Sequence, residues 1–134
     1  MEIQTTRHFE QRVRQRGFTS AQIQLLLSYG ICTPSGYLMS QKRGAQEIDL
    51  RKREIRDLKV AVVSTREAIS SLRAKAAHLE KGNRCQQEKI VLLRREISSI
   101  ECLARKRTLV VCIGNRLITV QRADKWKVRR ELRR

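Results

Sequence analysis

Aromatic residues make up only 4% of this 134-residue chain. That scarcity works against an aromatic platform for stacking single strands. Proline occurs once, at Pro34, and the four cysteines (Cys32, Cys85, Cys102 and Cys112) show neither C-x-x-C spacing nor a neighbouring histidine. No zinc site or other cofactor is therefore expected, and the thiols read as small, buried and reduced, as in a cytoplasm. Long apolar runs are missing too. The opening MEIQTTRHFEQR lacks the core of a signal peptide, and no stretch reaches spanning length, so neither a membrane span nor a membrane partner is expected.

Acidic residues are the most consequential shortage. Lysine and arginine number 30 against 13 acids, for a formal charge of +17 and a pI near 11.0. A surplus of that size opposes compaction by self-repulsion and calls for a neutralising polyanion, nucleic acid first. The surplus is uneven. Residues 1–44 hold six cations and two acids, residues 45–104 thirteen and nine, and residues 105–134 eleven and two. The balanced middle resembles a solvated helix, while residues 124–134 (Asp124 to Arg134, with Trp126 between Lys125 and Lys127) read as a basic arm or tail.

The ends carry local signals. A first helix runs from Thr6 through Arg16, with Gly17 as its stop. Thr19 and Gln22 form a capping box for a second helix, Phe18 stands where a hydrophobic staple would reach Ile23, and Gly30 closes it as a C′ residue. Residues 31–41 read as a loop leading into a short strand near Tyr37–Ser40. Residues 108–113 and 116–122 alternate like strands about Gly114-Asn115, a two-residue hairpin turn.

From Ile48 a heptad holds phase through the middle. Ile48, Ile55, Val62, Ile69, Ala76, Asn83, Ile90, Ile97 and Ala104 occupy a; Arg51, Leu58, Thr65, Leu72, Leu79, Gln86, Leu93 and Ile100 occupy d. One continuous helix pairing with a second chain fits this pattern. So does an antiparallel hairpin turning at Gly82-Asn83, which is preferred because it returns the chain to complete a small sheet. The expected class is α+β: two short N-terminal helices and a small antiparallel sheet, with a coiled-coil-like helical hairpin inserted. Residues 1–44 and 105–123 would form one small domain, 45–104 the insertion and 124–134 the tail.

The run Thr6-Arg7-His8-Phe9-Glu10-Gln11-Arg12-Val13-Arg14-Gln15-Arg16-Gly17, with its H-x-x-x-R-x-x-x-R-G pattern, and the closing Ile118-Thr119-Val120 resemble the bacterial domain of unknown function 4258. That domain is similar in outline to the RelE-like and BrnT-like ribonuclease toxins of toxin–antitoxin systems. The likeness covers about residues 5–43 and 105–123; the helical stretch between the motifs is longer here than in the family. It implies a compact helix-plus-sheet domain more firmly than it implies an activity.

Steps of four put His8, Arg12 and Arg16 along one helical face. Guanidinium forks hold phosphate oxygens in bidentate geometry, and an imidazole moves protons near neutral pH. The first expectation is phosphate binding, RNA ahead of DNA, through Arg7, Arg12, Arg14, Arg16, Arg116, Arg122, Lys125, Lys127, Arg129 and Arg130. A metal-independent endoribonuclease toxin using His8, Arg12 and Arg16, restrained by an acidic antitoxin, is the second. Tyr37 and His78 are its only spare acid–base groups. The third is a coiled-coil structural or homodimerising protein.

Overall fold

The computed structural model describes residues 3–71 and 76–133. The elements are β1 (Gln4–Thr5), α1 (Arg7–Gln15), α2 (Ser20–Tyr29), β2 (Ile31–Thr33), β3 (Gly36–Leu38), α3 (Gln41–Ser71), α4 (Ala76–Arg105), β4 (Thr108–Ile113), β5 (Arg116–Arg122) and α5 (Lys125–Arg133). They form two compact units, Met1–Glu47 with Ser98–Arg134, and Ile48–Ile97. The class is α+β, as expected.

In the first unit five strands run in the order β1-β5-β4-β3-β2. The hairpin of β4 and β5 pairs Leu109 with Gln121 and Val110 with Val120. Antiparallel pairing continues to β3 and β2, but β1 lies parallel to β5, pairing Gln4 with Arg116 and Thr5 with Leu117. The sheet is thus mixed rather than purely antiparallel. A two-residue strand carries no periodic signal, which is why β1 and its direction escape a reading of the residues. The expected loop at 31–41 is instead the tight hairpin of β2 and β3 about Pro34-Ser35. Thr33 Oγ1 donates to the Gly36 carbonyl and accepts from its amide, both at 3.2 Å.

Strand alternation sorts the core into two faces. Leu38 and Leu109, fully buried, meet Ala123, Val111 and Val128 of α5 on one face. On the other, Val110 and Val120 point towards the α1 and α2 side. Leu117 reaches that side as well, three residues from Val120, because β5 carries a bulge: Thr119 pairs with Val111 but Leu117 with Cys112, leaving Ile118 unpaired. The extra residue re-phases the strand. Leu117 then lines a groove with Phe9, Val13, Phe18 and Ile23.

Both N-terminal helices begin as their residues predict. Thr6 caps α1, accepting from the Phe9 amide at 3.1 Å while its hydroxyl donates to the Leu117 carbonyl at 3.2 Å. The Thr19–Gln22 capping box is complete, at 3.1 and 3.0 Å, and Phe18 and Ile23 are both buried. Gly30, by contrast, caps α2 in extended backbone rather than as a left-handed C′ residue. A side chain there would strike the Leu26 carbonyl oxygen at 2.5 Å.

Residues 124–133 do not form a free tail. Asp124 Oδ1 accepts from the Lys127 amide at 2.6 Å to start α5, and buried Glu131 accepts from Ser35 Oγ at 2.8 Å. With Val128 on the sheet, these contacts outweigh the repulsion of the cations on the opposite side of the helix.

The heptad segment folds back, as preferred, but the reversal is not at Gly82-Asn83. Both lie inside α4, and α3 has already ended at Ser71. A glycine in a helix costs about 1 kcal/mol relative to alanine, too little to break α4 there. In the first unit Gly44 packs against Ala104 so closely that a Cβ on Gly44 would overlap the alanine Cβ. In the second, Arg51, buried, pairs with Glu96 at 2.7 Å. Every heptad position with a described side chain is buried or half-buried. Among the described residues the seam is therefore filled from within the chain. The side chains of Ile69, Leu72, Ala76 and Leu79 lie outside the described residues.

The polar seam positions differ among themselves. Arg51 has Glu96, and Thr65 Oγ1 donates to the Ala61 carbonyl at 2.8 Å. Asn83 Oδ1 and Gln86 Oε1 are buried without a hydrogen-bond partner. An unsatisfied buried acceptor costs about 1–3 kcal/mol. Asn83→Leu is accordingly expected to raise the urea midpoint, by about 1–2 kcal/mol of stability. A lower midpoint would mean that the asparagine holds the register of the pair instead.

The cysteines are less buried than expected. Cys32 and Cys85 are exposed, and Cys102 and Cys112 half-buried, all with free thiols. They sit at strand edges and on helix faces that the local apolar sequence does not distinguish from core. Burial, with a smaller contribution from nearby Cys32, pushes the Cys112 thiol above its ordinary range, which disfavours the reactive thiolate.

Candidate nucleic-acid interface

The expected phosphate-binding residues fall into two groups on opposite faces of the sheet. The first follows α1. Its N-terminus is tied to Leu117, so Arg7 and His8 stand near the start of β5, whereas Arg116, next to Leu117 in the strand, projects from the opposite face. At the other end, Phe18 lies under the Lys106 ammonium, 4.8 Å from the ring centroid, and Lys106 stands two residues before Thr108, the partner of Arg122. Arg16 and Arg122 are thus carried towards that end.

His8, Arg12 and Arg16 do follow one another along the helix, but they are not equivalent. His8 is exposed on the first turn, Arg12 is half-buried beside the Phe9 and Val13 face, and Arg16 is the C-cap, beyond the last helical residue. At 1.5 Å per residue, His8 and Arg16 are separated by about 12 Å along the axis. The row is therefore long enough to follow a phosphate backbone and too long to close on one phosphodiester. Of the two spare acid–base groups, Tyr37 is half-buried on β3, two strands from β5, and the His78 side chain lies outside the described residues.

The second group belongs to α5. Val128 and Glu131 face the sheet, so Trp126, Arg129, Arg130 and Arg133, spaced i, i+3, i+4 and i+7, share the opposite side. All four are exposed, Trp126 to 73%. Lys125 is exposed and Lys127 half-buried on the flanks. The Arg129 guanidinium lies 6.0 Å from the Trp126 ring centroid, at the outer limit of a cation–π contact. Arg133 was not singled out from the residues alone; only the helical spacing of α5 adds it to the stripe.

A third set of cations was missed altogether. Lys42, Arg43 and Arg107 line an open cavity of about 490 Å³ with Ser40, Gln41, Val128 and Leu132. Arg43 is partly engaged, donating to the Tyr29 carbonyl at 2.9 Å and lying 3.6 Å from Glu47. Arg107 holds a left-handed backbone, φ +47°, at the end of α4.

None of Arg7, His8, Arg12, Arg14, Arg16, Arg116, Arg122, Lys125, Lys127, Arg130 or Arg133 forms an ion pair among the described residues. Within the same residues no cluster of three or more His, Cys, Asp and Glu is placed to hold a metal ion, and no helix is long and apolar enough to cross a membrane. No protein-family model, curated protein or solved structure matches this chain.

Proposed function

We propose that this protein binds the sugar-phosphate backbone of nucleic acid, RNA ahead of DNA, through the cations of α1, the ends of β5 and α5. One asymmetry carries the reading. Several acids are already engaged by neighbours: Glu10 accepts from Thr5, Glu47 lies by Arg43, Glu96 holds Arg51, Asp124 caps α5 and Glu131 holds Ser35. The cations named above face water without acidic partners, as phosphate ligands must before binding. The preference for RNA rests on the resemblance of the two ends to ribonuclease-toxin-like domains, and an acidic protein of the antitoxin kind would compete for the same cations. Filter binding of the full chain to RNA and DNA in dilute buffer tests the proposal. Indifference to both would overturn it.

Catalysis is the second reading, favoured by the imidazole of His8 and the guanidinium of Arg12 on successive turns of α1. Purified protein would then cut RNA in the presence of a chelator, and His8→Ala would lower the rate by about 10²–10⁴-fold, the range for losing a general acid–base group. Undiminished cutting by His8→Ala, or by Arg12→Ala, would remove those residues from the chemistry.

A further inference from the structure

We propose that the outer side of α5 is a single-strand site, in which Trp126 stacks on one unpaired base while Arg129, Arg130 and Arg133 hold the neighbouring phosphates. This deepens the proposed function and rests on it. Three observations support it. The sole tryptophan of the chain is 73% exposed in a helix that is otherwise anchored on the sheet. So exposed an indole leaves its ring face open to a partner that can bury it. The residues sharing its side of the helix are all arginines, so the charge of the patch matches a polyanion and repels a second copy of this chain. Finally, α5 is held by Val128, by Glu131 on Ser35 and by the Asp124 cap, so the ring is presented from a rigid support. Pre-ordering of that kind reduces the entropy lost on binding.

A duplex hides its base faces and offers the indole nothing to stack on, whereas a single strand exposes them. The scarcity of aromatics sets the scale: one ring reads one base, and the arginines follow the backbone on either side. The preference is accordingly for unpaired nucleotides, without discrimination among bases, because every base has a π face.

Trp126 supplies its own probe. The full chain is titrated with a short oligouridylate and with an RNA duplex while the indole fluorescence is followed. The single strand is expected to quench the emission to saturation and the duplex to quench it far less. Trp126→Ala should weaken oligouridylate binding roughly tenfold to a hundredfold, the range for one base–aromatic stack, with duplex binding unchanged. Trp126→Phe should recover much of the loss. Arg129→Gln with Arg130→Gln should flatten the salt dependence of single-strand binding by about 1.4 in log–log slope, the share of two phosphates. Because Trp126 is 73% exposed, its variants are expected to keep the parent circular dichroism and melting point.

If both nucleic acids bind with a steep salt dependence but Trp126→Ala binds oligouridylate like the parent, the stacking site is overturned and the phosphate reading stands. If the parent binds neither, both fall together. A blue-shifted emission with anionic vesicles and none of the quenching by oligouridylate would overturn it too, assigning the stripe to a membrane surface.

Discussion

Raising salt from about 50 to 200 mM is expected to weaken binding by at least a hundredfold, because each phosphate neutralised releases condensed counterions. The two cation groups make the size of the effect informative. Arg7, Arg14, Arg16 and Arg122 are exposed on the α1 side of the sheet, and Lys125, Arg129, Arg130 and Arg133 on the α5 side. A duplex lying on one side meets about four of them, giving a log–log slope near −3.6 and a loss of roughly 150-fold over that interval. A single strand that wraps both sides meets about eight, giving a slope near −5.6 and a loss of roughly 2 × 10³-fold. The slope therefore counts how many sides are used. A slope near zero in filter binding would mean that the cations do not meet phosphates at all.

The second large effect is structural. Gly36→Ala is expected to cost about 3 kcal/mol or more, a large part of the 5–15 kcal/mol that holds a domain of this size together. Gly36 has φ +153°, which favours glycine. A Cβ there would overlap the Val110 carbonyl oxygen and lie 2.9 Å from its carbon and 3.0 Å from the Cys112 nitrogen. Those atoms are backbone of β4, in the middle of the sheet, and have no room to yield. Relief requires β3 to leave β4, which would break the pairing of Gly36 with Val111 and Leu38 with Leu109. The thermal midpoint followed by circular dichroism should fall by about 6 °C or more. Gly82→Ala is the contrasting control. That glycine lies in a helix with nothing within 4 Å of the added carbon, so the same chemical change should stabilise by up to about 1 kcal/mol. A Gly36→Ala protein that melts with the parent would show that β3 does not lie where it is described.

Local signals were read well wherever one short segment contained all the physics. The hairpin at 108–122, the helix start near Thr6 and the capping box at Thr19 depend on residues within a few positions of each other. The heptad also gave its buried face correctly, down to Arg51, whose place in the seam becomes explicable once Glu96 is seen beside it. What failed were features decided by distant partners. Gly82-Asn83 reads as a turn because both residues disfavour helix, yet the register of the opposing arm overrides that preference. The arm at 124–134 reads as a tail because its charge is conspicuous, while its anchors, Val128 and Glu131, are single residues, and the partner of Glu131, Ser35, lies 96 positions upstream. The bulge at Ile118 left one trace, the odd spacing of Leu117 and Val120, which alternation alone does not resolve.

The candidate site divides along the same line. Residue types and charge location were legible, and so was the sharing of one helical face by His8 and Arg12. Which cations stand on which side of the sheet was not, since that depends on the helices α1 and α5 covering opposite faces.

The close meeting of Gly44 and Ala104 has a bearing on ancestry. The chain departs from the small domain and comes back to it at neighbouring points, so the helical excursion between them is topologically a long loop whose ends are already joined. Removing equal seven-residue blocks from each arm would keep the facing residues matched and leave the doorway untouched. An excursion of this kind is free to grow or shrink by whole repeats while the domain that hosts it stays as it is.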